Sequence, residues 1–217
     1  MKKVISLLLC VMMLTGLLAG CGGGSGGGNT DAAQGGSAQQ SGADSTGAGS
    51  AAAGRTDFIF GITSEPPLLT PFKTDEFTVF TINYQIFNRL LELTADGQLV
   101  PSLAESWTYS EDGKQMTFKL REGILFHNGE EMTSEDVAYS VNQAIAAPAT
   151  SAVTSAMVEM TADDKYTCTL TLSEPFGPIE ACLSSPYLGI VNKAADEADP
   201  DGYARNPIGT GPYKFVR

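Results

Sequence analysis

Between residues 22 and 54 the chain has no large apolar side chain; Gly, Ser, Ala, Gln, Thr and Asn fill it, and Asp31 and Asp44 are the only charges. A segment with nothing to bury cannot offset the entropy lost on ordering. The composition predicts a flexible tether over residues 21–56, reaching on the order of 30 Å as a Gly/Ser-rich coil. Folding is thereby confined to residues 57–217, about 160 residues. That is enough for one substantial domain or two small lobes.

Residues 1–20 read as an export signal. Lys2 and Lys3 precede an uncharged, mostly apolar run from Val4 to Ala19, and small residues lead to Cys21. The run is shorter than the roughly 20 residues a spanning helix needs. Leu17-Leu18-Ala19-Gly20-Cys21 resembles a bacterial lipoprotein signal, which implies that the Cys21 thiol carries a diacylglyceryl group and becomes the new N-terminus. An ordinary secretory signal with a cysteine after it is the other reading. Two or more acyl chains, at about 0.8 kcal/mol per buried methylene, hold a protein on a membrane where one lets go.

The whole chain has 13 basic and 25 acidic residues, net −12; without Lys2 and Lys3 the balance is 11 against 25, net −14. Such acidity disfavours nucleic acid and anionic lipid surfaces as partners, since both require a positive patch. Besides Cys10 and Cys21, the cysteines are Cys168 and Cys182. Cys168 alternates with Tyr166, Leu170 and Leu172 on one strand face, and Cys182 lies in the apolar run 179–183, so both read first as small buried hydrophobes. An oxidising exterior also permits a Cys168–Cys182 disulfide.

Along the folded part, residues 58–62 read as a first strand, broken by Ser64-Glu65-Pro66-Pro67, and residues 68–77 as an extended loop around Pro71. Val79, Ile82, Ile86, Phe87, Leu90 and Leu91 recur at helical spacing, so a helix begins at Asp75 or Thr78. Ala95-Asp96-Gly97-Gln98 is a turn between short strands. Residues 107–109 and 116–120 make a hairpin about Glu111-Asp112-Gly113-Lys114. Thr133 caps a helix with Glu135 and Asp136 in its first turn, and Pro148 closes it. Residues 166–172 and 188–191 read as strands. The chain stops in an apparent strand, 212–217, with no turn or polar tail after it, which reads as a truncated chain. Strands before and after helices imply an α/β arrangement.

Reactive chemistry needs a nucleophile with its base, a shaped carboxylate pair or a metal cluster. The single histidine, His127, sits beside an Asn-Gly turn and reads as structural. The folded part holds no Gly-x-Ser-x-Gly elbow, phosphate loop or dinucleotide fingerprint. Gly209-Thr210-Gly211-Pro212 reads as a bend. Cys168 and Cys182 lack metal-ligand spacing. The expectation is no enzyme, no metal and no cofactor.

Several blocks together resemble the extracellular solute-binding proteins, family 5, of peptide and nickel ABC importers. They are Gly61-Ile62-Thr63-Ser64-Glu65-Pro66-Pro67 with Leu69-Thr70-Pro71, Ile86-Phe87-Asn88-Arg89-Leu90-Leu91, and Leu99 through Trp107. Phe118 through Gly129, Thr133 through Ser140, and Pro207 through Tyr213 follow in family order. The resemblance implies an α/β, periplasmic-binding-protein-like fold (type II, Venus flytrap) with an inserted small α+β domain, of which only the N-terminal part is present. It implies first-lobe pieces at residues 57–84 and 174–217 and an inserted domain at residues 85–173.

The resemblance also implies capture of a peptide or similar solute outside the membrane and its delivery to an ABC permease and ATPase. A nickel chelate or oligosaccharide is the alternative ligand, and a lipoprotein surface enzyme or an adhesion or signalling receptor the alternative class. It places Ser64, Glu65, Asp75, Glu76 and Phe77 at the ligand cleft, with Ser151 and Val153 on a second ligand-facing loop. Extended loops suit peptide capture, because their free N–H and C=O groups can pair with a peptide backbone. Asp75 and Glu76 have a second reading, as acids favoured at a helix N-terminus. Thr70 stands where the family often has Asp, and Val153 where some oligopeptide binders have an aromatic. Trp107 reads as a buried anchor of the hairpin, against a ligand platform.

Overall fold

Alternation explains the centre of the molecule. In β4 (Gln115–Leu120) every second residue, Met116, Phe118 and Leu120, is buried. In β6 (Thr167–Leu172) the buried set is Cys168, Leu170 and Leu172. A period of two puts each set on one face. The strands pair antiparallel with Phe118 opposite Cys168, so one apolar surface spans both. β3 (Ala104–Tyr109) adds to the free side of β4 and β5 (Met157–Asp164) to the free side of β6, giving the order β3-β4-β6-β5. The computed structural model describes residues 61–62 and 64–216, which belong to the second of two compact units, Phe58–Arg217. The signal, Cys21, the tether and nearly all of the expected first strand lie outside the described residues.

The sheet is covered by helix α2 (Ser134–Ala146), whose buried Val137, Val141 and Ala144 recur at three and four residues. Its start agrees with the sequence: Thr133 is the extended cap, and the Asp136 carboxylate accepts from Thr133 N at 2.9 Å. The other Asp136 oxygen accepts from Lys193 N at 3.0 Å, which ties α2 to a later helix. The β5 edge is closed by a side chain. Asn142 donates to Met160 O at 2.8 Å and accepts from Met160 N at 2.9 Å, as a neighbouring strand would.

The remaining elements frame this layer. Helix α1 (Phe77–Ile86) precedes a small antiparallel pair, β1 (Leu91–Leu93) and β2 (Leu99–Pro101), joined by the expected turn with Gly97 at positive φ. After α2 come a 3₁₀ turn (Pro148–Thr150) and α3 (Ser151–Thr154). After β6 come α4 (Ile179–Leu183), a 3₁₀ turn (Pro186–Leu188), α5 (Lys193–Ala198) and α6 (Pro200–Tyr203).

Three expectations change, and one alternative is set aside. The helical stripe does not reach Leu91: α1 ends at Ile86, and Phe87 is extended, while Leu90 and Leu91 serve the core from β1 and the turn before it. Residues 188–191 are not a strand; Leu188 closes a 3₁₀ turn begun by Pro186, and Ile190 pairs only with Asn88 O. Residues 212–216 are not a strand, although Tyr213 N reaches Gln85 O at 3.0 Å. Cys168 and Cys182 are free thiols, not a disulfide. Cys168 faces the core from mid-sheet, between Phe118 and Ala162, whereas Cys182 is half-buried on α4. Burial pushes the Cys168 thiol up to about 12, with Asp163 and Asp164 adding to it.

Trp107 anchors the hairpin from a half-buried position. Its indole N–H donates to Glu180 Oε1 at 2.8 Å, fastening β3 to α4. The Tyr109 hydroxyl donates to the same oxygen at 2.9 Å. Partial burial first, then this bond to a carboxylate, pushes the Tyr109 phenol up to about 12.

Candidate functional site

The loop before α1 is pinned from beneath. Leu69 N donates to Ala204 O at 2.8 Å, Phe72 is buried, and Lys73 N donates to Thr70 O at 3.3 Å. Past this anchor the predicted ligand residues emerge. Ser64, Glu65, Asp75, Glu76 and Phe77 are all exposed, Phe77 at 83%. The Ser64 and Thr78 hydroxyls meet at 3.2 Å, which brings the Ser64-Glu65 segment to the first turn of α1. Glu76 occupies the cap position, yet its carboxylate makes no capping bond. Its own N–H is satisfied by Thr74 Oγ1 at 3.2 Å. Asp75 and Glu76 thus stand directly before the first residue of α1, where acids favour the helix dipole, and Glu76 does so without a side-chain capping bond.

Two residues missed in the sequence join this group. Phe80 and Tyr187 stack edge to face with centroids 4.7 Å apart. Burial raises the Tyr187 phenol, and the charge of Asp75 raises it further. Tyr187 comes from a 3₁₀ turn more than a hundred residues later, so no local pattern announces it.

The second predicted segment follows the end of α2. Ser151 is exposed and Val153 half-buried, both on α3. Thr150, just before them, is buried and donates its hydroxyl to the carbonyls of Ala144 and Ala147. This locks the turn after Pro148.

A groove of about 450 Å³ separates the two predicted segments, with Leu68, Phe72 and Lys73 on one wall and Gln143, Ala147 and Ala149 on the other. That volume lies within the range of small-molecule sites. The structure thus brings the two loops to one concavity, but the seven predicted ligand residues do not line it. Lys73, the groove's one cationic lining residue, is among the residues the sequence reading missed. Its ammonium lies 3.5 Å from Pro200 O and 3.9 Å from Asp196 Oδ1. Asp196 is buried on α5, where its other oxygen accepts the Tyr139 hydroxyl at 2.8 Å. Burial and that bond both raise the Tyr139 phenol. A larger groove, about 620 Å³, runs between α1 and residues 213–216, and none of its walls belongs to the predicted ligand segments.

His127 sits elsewhere and holds backbone. Gly209 N donates to its Nδ1 at 3.3 Å, so Nε2 carries the proton and donates to Gly211 O at 2.8 Å. With both ring nitrogens engaged in this clamp, the histidine has no free nitrogen for acid–base work.

This arrangement aligns with part of several solved periplasmic binding proteins. The chain aligns with the Listeria monocytogenes OppA bound to peptide at 26% identity and a TM-score of 0.62, over 70% of this chain and 34% of that one. NikA from Brucella suis in complex with Fe(III)-EDTA aligns at 28% identity and a TM-score of 0.64, over 70% and 31%. Among curated proteins, a probable D,D-dipeptide-binding periplasmic protein of Escherichia coli (strain K12) is 30% identical over 170 residues, covering 71% of this chain and 32% of the relative.

Residues 98–217 match the model of the bacterial extracellular solute-binding proteins, family 5 Middle, and the chain belongs to that family. It spans about a third of the length of the curated relatives it matches.

Proposed function

We propose that the protein is the solute-capturing component of an ABC importer, taking up a peptide or similar solute outside the membrane and presenting it to a permease driven by an ATPase. Family membership over residues 98–217 supports the class. The peptide reading rests on one observation: residues 68–73, before α1, and residues 146–149, at the end of α2, share the walls of one groove. Capture requires no reactive group, only walls that complement the solute. In this reading residues 57–84 and 174–217 belong to the first lobe and residues 85–173 to the inserted domain. Ser64, Glu65, Asp75, Glu76, Phe77, Ser151 and Val153 face the ligand. Cys21 carries the lipid that moors the protein outside the cell.

A second reading keeps the fold and changes the cargo to a metal chelate. It is favoured by the likeness to NikA in complex with Fe(III)-EDTA.

Thermal unfolding of the full-length protein separates the two. A ligand that binds only the folded state stabilises it by about 2.7 kcal/mol at a hundred times its dissociation constant. We expect a mixed library of di- to pentapeptides to raise the melting temperature. A shift produced by a nickel chelate or a sugar, with none from any peptide, would overturn the peptide assignment.

A further inference from the structure

We propose that Asn128 is a site of spontaneous deamidation, and that its conversion to isoaspartate releases the clasp by which the turn at residues 126–131 holds residues 209–213. The reactants are the chain itself and solvent water, so the inference is independent of the solute the protein captures.

The sequence supplies the reactive pair. Asparagine is a thermolabile residue; its carboxamide is lost when the backbone nitrogen of the next residue attacks Cγ. Asn128-Gly129 is the one Asn-Gly step in the chain. Glycine leaves that nitrogen open to close approach, and nothing stands within 4 Å of where a Gly129 Cβ would sit. The other asparagines precede residues whose side chains crowd the attack or, at Asn206, a proline with no N–H.

The turn supplies the setting. Glu130 N donates to Asn128 Oδ1 at 3.1 Å, so a donor already faces the oxygen on which charge develops when Cγ is attacked. Asn128 also borders a cavity of about 230 Å³, with His127, Asn206 and Lys214 on its other walls, where water can reach it. One contact opposes the reaction: Gly129 N donates to Phe126 O at 2.9 Å. Conversion therefore proceeds through local opening of the turn, and the folded protein reacts more slowly than a free peptide. In the first step the bond from Gly129 N to Cγ forms and the amide proton passes to solvent. The Cγ–Nδ2 bond breaks, and ammonia leaves with a proton from water. Water then opens the succinimide ring. Breaking the new N–Cγ bond gives aspartate; breaking the original peptide C–N bond gives isoaspartate, whose backbone runs through Cβ and Cγ and is one atom longer.

A longer backbone cannot keep this turn, which is closed by Gly129 N on Phe126 O and by Phe126 N on Glu130 O at 2.8 Å. Two other segments depend on it. His127 grips Gly209 and Gly211 through both ring nitrogens, and its own N–H donates to Gly209 O at 2.9 Å. Gly211 N and Tyr213 N in turn take the last carbonyls of α1. Glu130 accepts from Asn192 Nδ2 at 2.8 Å, and Asn192 caps α5.

The test is to age the full-length protein in warm, mildly alkaline buffer beside a synthetic peptide of residues 122–135. Both are followed by peptide mass mapping, with isoaspartate located by methyltransferase labelling of the separated peptides. Amide loss should occur at Asn128 before any other asparagine of the folded protein, more slowly than in the peptide, and should yield isoaspartate. The fraction carrying isoaspartate should melt lower than fresh protein and exchange the Gly211 and Tyr213 amide hydrogens at least roughly tenfold faster. Asn128→Ser should age without label in this turn. Asn128→Asp, freshly made, adds the charge without the extra backbone atom and should keep slow exchange at Gly211 and Tyr213. Asn128 still intact in the folded protein once the peptide has fully converted overturns the proposal. So does an isoaspartate fraction whose Gly211 and Tyr213 exchange is unchanged, and both readings come from the unaltered chain.

Discussion

Glu131 gathers three donors at the surface: Lys165 Nζ at 2.8 Å, the Tyr166 hydroxyl at 2.6 Å and Gly123 N at 3.2 Å. The bond from Lys165, then that from Tyr166, holds its carboxyl at about 2, well below the usual carboxylate range. A carboxyl depressed by folding stabilises the folded state above its unfolded pKa. That contribution disappears as pH falls through the folded value. The window is therefore about pH 4.5 down to pH 2. The melting temperature should decline across it, and Glu131→Gln should melt lower than the unaltered protein at pH 7. The two should converge as pH approaches 2, read by circular dichroism melts in matched buffers. Parallel curves across the window would remove Glu131 from the account. The same residue shows what a sequence conceals. Glu130-Glu131 reads as a solvated pair in a turn, yet Glu131 joins the β5–β6 turn to the loop before α2, and Glu130 accepts from Asn192 Nδ2 at 2.8 Å.

The end of helix α1 shows why local periodicity reads some elements well and others badly. The stripe through Val79, Ile82 and Ile86 correctly marks a helix, and continuing it to Leu91 overshoots. The carbonyls of Gln85 and Ile86 are taken by Tyr213 N and Gly211 N, at 3.0 and 2.8 Å. That cap comes from 128 and 125 positions away, where no sequence window looks. The cap also explains Gly209-Thr210-Gly211. A Cβ on Gly211 would stand 2.5 Å from Gln85 O, and one on Gly209 would run into Ile86 O. Gly211→Ala should thus cost about 1–3 kcal/mol, as overpacking does, seen as a lower denaturant midpoint with an unchanged slope. A neutral substitution would mean that the 209–213 segment does not seat on α1. Strand β5 escaped the sequence reading for a related reason. Its burial reads buried, two exposed, buried, then four exposed, and bulges at Met157/Glu159 and Ala162/Asp164 break the alternation. The hairpin, the 95–98 turn and the α2 cap were legible because their signals are local. The proposed ligand-facing loops were read from family motifs, whereas the groove they share needs residues 68–73 and 143–149, seventy or more positions apart, to meet.

For the molecule as a whole, attachment to the membrane should depend on one sulfur atom. With 25 acids against 11 bases after the signal, the protein is repelled by anionic lipid, so charge cannot hold it at a membrane. Residues 22–54 offer no apolar face to insert. In the proposed reading the remaining device is covalent lipid at Cys21, where two or more acyl chains would supply what a single chain cannot. In cells expressing the full-length protein, the unaltered form should sediment with membranes, resist a high-salt wash and enter solution with detergent. Cys21→Ala should shift it to the soluble fraction, or leave a heavier precursor still carrying residues 1–20, and mass spectrometry distinguishes those results. A Cys21→Ala protein of processed mass that stays on washed membranes would show a second mooring and remove the lipid from the proposal. On the proposed function, a Gly/Ser-rich leash reaching on the order of 30 Å would keep the receptor close to a permease while leaving it free to turn toward its solute. The local concentration of a tethered receptor falls as the leash grows, so lengthening the Gly/Ser segment severalfold should slow uptake without altering affinity in solution.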